Sequence, residues 1–152
     1  MKRTLLTTLA TLACVAVATS QAPVAVGVRI PESAALTYPA QQVILKKLQQ
    51  LATLNGVGTE AENARFWLTP QVSIVESHVT PVAPPRQLVK LNVVLMIADT
   101  AAAKSIVAQA ELSAKGVGKS EEEAVINALQ QIDVRSATLK RFMEQGKKGI
   151  TN

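Results

Sequence analysis

The chain has 152 residues, is 48% hydrophobic and 18% charged, and carries a formal net charge of +5. This composition excludes a disordered polymer and supplies enough apolar side chains for one core, so a single domain is the expectation. A single cysteine, Cys14, rules out a disulfide framework. It lies in a segment that reads as removed, and the thiol-free remainder with its single histidine offers no Cys/His metal cluster and no Cys-His catalytic pair.

The amino-terminal stretch reads MKRTLLTTLATLACVAVATSQAPVAV. Lys2 and Arg3 are a cationic start, Leu5 to Val17 an uncharged apolar run, and small residues follow. Residues 1–22 therefore read as a secretory signal peptide cleaved between Ala18 and Ala22. The run is too short to span a membrane comfortably. A competing reading is a lipoprotein signal, because Thr11-Leu12-Ala13-Cys14 resembles a lipobox whose cysteine is acylated. Thr11 stands where leucine is usual, and the residues after Cys14 stay apolar. A membrane is thus expected only through lipidation at Cys14, at the outer membrane; otherwise the destination is periplasmic or extracellular. Removing Lys2 and Arg3 from the 16 basic side chains leaves 14 against 11 acidic ones. The remaining +3 is dispersed, which argues against nucleic acid.

In chain order, Val24, Val26, Val28 and Ile30 alternate with Ala25, Gly27 and Arg29, a strand ended by Pro31. From Pro39, the residues Ala40, Val43, Ile44, Leu48, Leu51 and Ala52 form a helical stripe stopped at Asn55-Gly56. After a polar loop, Phe66, Leu68, Val72 and Ile74 share one face of a long strand, with Thr69, Gln71 and Ser73 on the other. The loop TPVAPPR leads to LVKLNVVLMIAD, where Val89, Leu91, Val93, Leu95 and Ile97 make one apolar face and Val94 and Met96 another, as in an interior strand. Ile106, Ala108, Ala110, Leu112 and Ala114 then alternate with Ser105, Gln109, Glu111 and Ser113 in a further strand. A helix from Ser120 carries Ala124, Val125, Ala128, Leu129 and Ile132. A shorter one carries Leu139, Phe142 and Met143 and is expected to end near Gly146.

This order predicts an α+β two-layer sandwich: strand, helix, three-strand meander, helix, with the helices on one face of a mostly antiparallel sheet. The domain is expected to span 23–134, followed by a short helix and tail over 135–152.

The stretch KGVGKSEEEAV sits where a phosphate loop would. Gly118-Lys119-Ser120 is present, but Ser113 replaces the glycine that lets such a loop curl. Glu121, Glu122 and Glu123 would also repel phosphate from the helix start. Ser120-x-x-Glu123 reads instead as a capping box, with Gly116 and Gly118 supplying the turn out of the strand. No nucleotide and no cofactor is expected. Nor is a catalytic residue: Glu76 and His78 share a strand face at a spacing that lets a carboxylate orient an imidazole, but no nucleophile signature accompanies them.

The residues expected to meet a partner are Arg65, Trp67, Pro84 and Arg86. With Phe66 inward, Trp67 points to the polar face, and an exposed tryptophan is enriched at contacts; the alternative is that a loop or terminus covers it. The proline loop 81–86 is either an extended recognition segment or a stiff connection.

Taken together, KLQQLATLNGVG, RFWLTPQVSI, the APP loop, LVKLNVVLMIAD and AKGVGKSEEEAVINALQQI resemble a group of secreted proteins of Bacteroidetes and their phages with no established activity. The element order is more distantly similar to the amino-terminal envelope domain of TolB and to curli-secretion lipoproteins, which implies an assembly or interaction role. The expected function is an exported, non-catalytic envelope or extracellular interaction module with an unknown protein partner. The alternative is a secreted small-ligand or glycan binder with its site at loops 56–65 and 80–86, against which the presence of only four aromatics weighs.

Overall fold

The computed structural model describes residues 24–32, 35–59, 63–102 and 105–152. The signal segment, its cleavage between Ala18 and Ala22, and Cys14 lie outside the described residues. In chain order the elements are β1 (Gly27–Val28), α1 (Tyr38–Leu54), β2 (Phe66–Val79), β3 (Gln87–Asp99), β4 (Ser105–Gly118), α2 (Glu121–Gln130) and α3 (Ala137–Thr151). The sheet order is β1-β2-β3-β4, parallel between β1 and β2 and antiparallel elsewhere. It is the expected α+β layer pair.

The alternation from Val24 to Ile30 predicts a longer first strand than forms. Its upstream residues pair with the chain leaving α1, through Val26 N–H to Gly58 O and Gly58 N–H to Val24 O, both 2.9 Å. Only Gly27 and Val28 register with Trp67 and Leu68 of β2. The α1 stripe buries Ala40, Ile44, Leu48, Leu51 and Ala52. The helix ends as its sequence predicts, because Gly56 takes φ +69°. Gly56 N–H then reaches Thr53 O and Val57 N–H reaches Ala52 O, the paired closure of a Schellman motif.

Pro70 lies inside β2, where a missing N–H would break a central ladder. Leu68, two residues earlier, turns its carbonyl away from β3 to accept from Arg29 N–H at 3.1 Å. Pro70 has the same parity, so its nitrogen faces the open side and the β2–β3 ladder is intact. Two bulges then alter the expected faces. The register slips between Ile74 and Glu76 in β2, and between Ile97 and Ala98 opposite β4. The second slip places Ile106 opposite Ala98, so Ile106 is 55% exposed on the far face instead of in the core. Val107 packs against the core in its place. Ile74, also expected inside, is 43% exposed, because α2 and α3 lie on β3 and β4 while α1 packs on α2 and β1, which leaves the second half of β2 uncovered.

The layers approach closely because the core face of β4 is small apart from Leu112: Ala108, Ala110, Ala114, Gly116 and Gly118. Gly116 and Gly118 were expected to form the turn out of the strand; instead they are inside β4, opposite Val89 and Gln87. A β-carbon on Gly118 would lie 2.6 Å from Ala124 N, so these glycines make room for the α2 backbone. Ser120 Oγ accepts from Glu123 N–H at 3.2 Å, and the Glu123 carboxylate accepts from Lys119 N–H at 2.7 Å. The box closes one residue earlier than its sequence pattern predicts. Lys47 Nζ donates to Gln130 O and Ile132 O at 2.8 and 2.9 Å, tying α1 to the negative end of α2.

The last helix does not stop near Gly146 but runs 15 residues to Thr151. Gly146 faces Ile97 and Gly149 faces Val107, so both glycines serve packing against the sheet. Leu139, Phe142 and Met143 are each 1% exposed and join the same core as the rest of the chain.

Candidate functional site

All three helices cover one face of the sheet, formed by the odd-numbered residues of β3 and their partners. No described element covers the other. Its composition follows from the strand register, row by row. Trp67, Ala98 and Ile106 are aligned at one end, followed by Thr69, Met96 and Gln109, then Gln71, Val94 and Glu111. Further along come Ser73, Asn92 and Ser113, then Glu76, Lys90 and Lys115, then His78, Leu88 and Val117. The face is apolar at the Trp67 end, polar to charged through its middle, and carries Leu88 and Val117 beside His78 at the far end. Val94 and Met96 are half-buried on this face, and among the described residues no helix covers them.

Arg65 and Trp67 stand at the start of β2. The Trp67 ring lies against Gly27 of β1, where a β-carbon would come within 2.6 Å of it. Trp67 is therefore half-buried, with one flank closed by β1, in place of the freely exposed tryptophan that strand parity predicts. Arg65 keeps an exposed side chain but commits its guanidinium to an ion pair within the chain. Its Nε donates to Asp99 Oδ1 and Oδ2 at 3.0 and 3.1 Å, and its Nη2 to Oδ2 at 2.7 Å. Its guanidinium also lies 5.1 Å from the Phe66 ring centre. Asp99 is 5% exposed and accepts a further bond from Ala101 N–H at 2.9 Å. Thr100 donates through N–H and Oγ1 to Arg65 O. The pair closes the edge where β2 starts and β3 ends. Sequence reading missed it, although a lone aspartate ending an apolar strand beside an arginine's strand was its signal.

The hydrogen bond from Arg65 holds the Asp99 carboxyl below the usual carboxylate range, against the upward push of burial, with Ala101 N–H assisting. The same bond raises the guanidinium. With the folded-state value depressed, the stabilisation is full above the unfolded value of about 3.9 and is lost as pH falls through the folded one. Thermal melts from pH 7 to 2 are expected to show the gap between the wild type and Asp99→Asn widest at neutrality and closing below about pH 4. A gap constant with pH would break the link.

Pro84 and Arg86 stand at the opposite end of β2, in an exposed loop closed by Thr80 N–H to Arg86 O at 2.7 Å and Arg86 N–H to Thr80 Oγ1 at 3.1 Å. β2 has 14 residues, which at about 3.3 Å each puts its ends about 40 Å apart. The four residues do not form one site. By the same geometry, loops 56–65 and 80–86 flank opposite ends of a strand and cannot line one pocket for a small ligand or glycan. An open groove of about 660 Å³ between α1 and the α2–α3 connection, lined by Lys46, Thr53, Leu54 and Arg135 among others, includes none of these residues.

No protein-family model matches the chain, and no curated protein matches it significantly. Among solved structures, the chain superposes on a minor lipoprotein of Acinetobacter baumannii with TM-score 0.48 and 15% identity, over 77% of this chain and 94% of that one. It superposes on a Caulobacter crescentus protein described as a lipoprotein with TM-score 0.40 and 14% identity, over 82% and 83% of the two chains. A PelC dodecamer of Paraburkholderia phytofirmans gives TM-score 0.39 and 14% identity, over 81% and 87%.

Proposed function

We propose that the protein is an exported, non-catalytic interaction module of the bacterial envelope or extracellular space, meeting a protein partner through the uncovered face of its sheet. The observation that carries this reading is the row Trp67–Ala98–Ile106 with Met96 beside it. These are apolar side chains on the face that no described helix covers, with Ile106 55% exposed. Contiguous apolar surface that includes a tryptophan is enriched at contact sites. The Arg65–Asp99 pair borders the row and fixes its edge. Export is supported by Lys2, Arg3 and the apolar run after them, and Cys14 makes an outer-membrane lipoprotein the variant of the same reading. Among the described residues, no helix is long and apolar enough to cross a membrane. Kinship with the secreted Bacteroidetes and phage proteins that the motifs resemble belongs to this proposal.

The test is capture of the partner from the host envelope by the purified protein, with mass spectrometry to identify it. Ile106→Asp is expected to leave the melting curve within about 0.5 kcal/mol of wild type and to abolish capture. Trp67→Ala should weaken capture by about 2 kcal/mol, roughly thirtyfold. Undiminished capture by both variants would rule the face out.

A further inference from the structure

The outer edge of β4 carries a second, distinct surface. β4 is the last strand of the sheet, and its odd-numbered residues turn their backbone groups outward. Two independent bonds show the parity. Leu68 O leaves the β2–β3 ladder for Arg29 N–H, which makes Ile97, its partner, face β4 and sets Ala108 and the even residues after it inward. At the far end, Val117 O accepts from Asn127 Nδ2 at 2.8 Å, outside the ladder. Among the described residues, the outward backbone groups of Gln109, Glu111, Ser113 and Lys115 have no protein partner. This stretch has neither a bulge nor a proline; of the usual guards of an exposed edge it carries charged side chains, Glu111 and Lys115.

We infer that β4 pairs antiparallel with β4 of a second copy about a two-fold axis through Ser113, joining two sheets edge to edge. The charges select that register. With Ser113 opposite its own copy, Glu111 falls opposite Lys115 of the second chain and Lys115 opposite its Glu111, all on the open face. A centre on Glu111 or Lys115 would oppose like charges, and a centre on Leu112 or Ala114 pairs neither. Within one chain, Lys115 stands directly opposite Lys90, an unfavourable like-charge pair. Lys90 in turn is opposite Glu76, so the row carries two cations and one anion until a second Glu111 completes it. Glu111 accepts from Asn92 Nδ2 of β3 at 2.7 Å through Oε1, which leaves Oε2 for the second chain. Pairs 111–115, 113–113 and 115–111 supply six backbone hydrogen bonds by the antiparallel pattern, and Asn127 ends the ladder at Val117. Opposite charges spaced symmetrically about a hydroxyl thus admit one partner geometry and repel others. The edge is a different surface from the Trp67 face, so either can fail without the other.

Sedimentation velocity of the purified protein across a concentration series, with thermal melts as the folding control, decides it. The wild type is expected to dimerise reversibly. Ser113→Pro removes an outward N–H and leaves the β3 ladder intact, and it should yield a folded monomer. Lys115→Glu and Glu111→Lys should each weaken the dimer about tenfold or more by opposing like charges, and the double exchange should restore it. A wild type that stays monomeric to high micromolar concentration would overturn the inference. So would a dimer that tolerates Ser113→Pro and both single charge reversals.

Discussion

Phe142→Ala is expected to lower the stability of the protein by about 3 to 5 kcal/mol, the range for emptying a buried aromatic site. Phe142 is 1% exposed and shares the inner face of α3 with Leu139 and Met143. Relaxation into the cavity is limited, because Gly146 and Gly149 already bring the α3 backbone against Ile97 and Val107. Urea titration of the variant beside Lys140→Ala, an exposed position on the same helix, separates the packing loss from any change in helix propensity. A Phe142→Ala protein as stable as the Lys140→Ala control would mean that α3 is docked without contributing to the core.

Gly116→Ala is expected to cost about 3 kcal/mol, at the upper end of overpacking effects. The added β-carbon would meet the carbonyl of Ala124 and lie 2.8 Å from the β-carbon of Ala128. Neither obstacle can rotate away, since both belong to the α2 backbone or its first side-chain atom. The whole of α2 must lift from β4. Gly56→Ala is the informative comparison: nothing lies within 4 Å of its β-carbon, but the residue holds φ +69°, so its cost is only the left-handed conformation, about 1 to 2 kcal/mol. Equal destabilisation of the two variants in urea would remove the packing role assigned to Gly116.

Together these two sites show how the sheet comes to present one face. Small residues on the inner side of β4 let α2 and α3 sit low on that side, and Leu129, Leu139, Phe142 and Met143 of these two helices are buried there. The outer face keeps Trp67, Met96, Ala98 and Ile106 at one end and one pair of opposite charges, Glu111 and Lys115, along its β4 edge. The face thus offers apolar area, and the β4 edge unpaired backbone groups, for partners.

The period of two in β2, β3 and β4, the stripes of α1, α2 and α3, the left-handed stop at Gly56 and the Ser120 cap were all legible in the chain. Each is set by residues within a few positions of one another, where side-chain spacing and backbone preference act directly. The partner residues were legible as types but not as a site, because adjacency in sequence says nothing about which ends of a strand meet. Ile106 was misassigned because a bulge adds one residue and inverts every face beyond it, and bulges arise from pairing with another strand. Gly116, Gly118, Gly146 and Gly149 resemble turn or stop signals until the opposing backbone is in place. Arg65 looks like a free surface cation until β3 delivers Asp99 across 34 residues of chain. Contacts between distant segments assigned these roles, since whether a side chain is free, paired or excluded depends on what the fold brings within van der Waals reach of it.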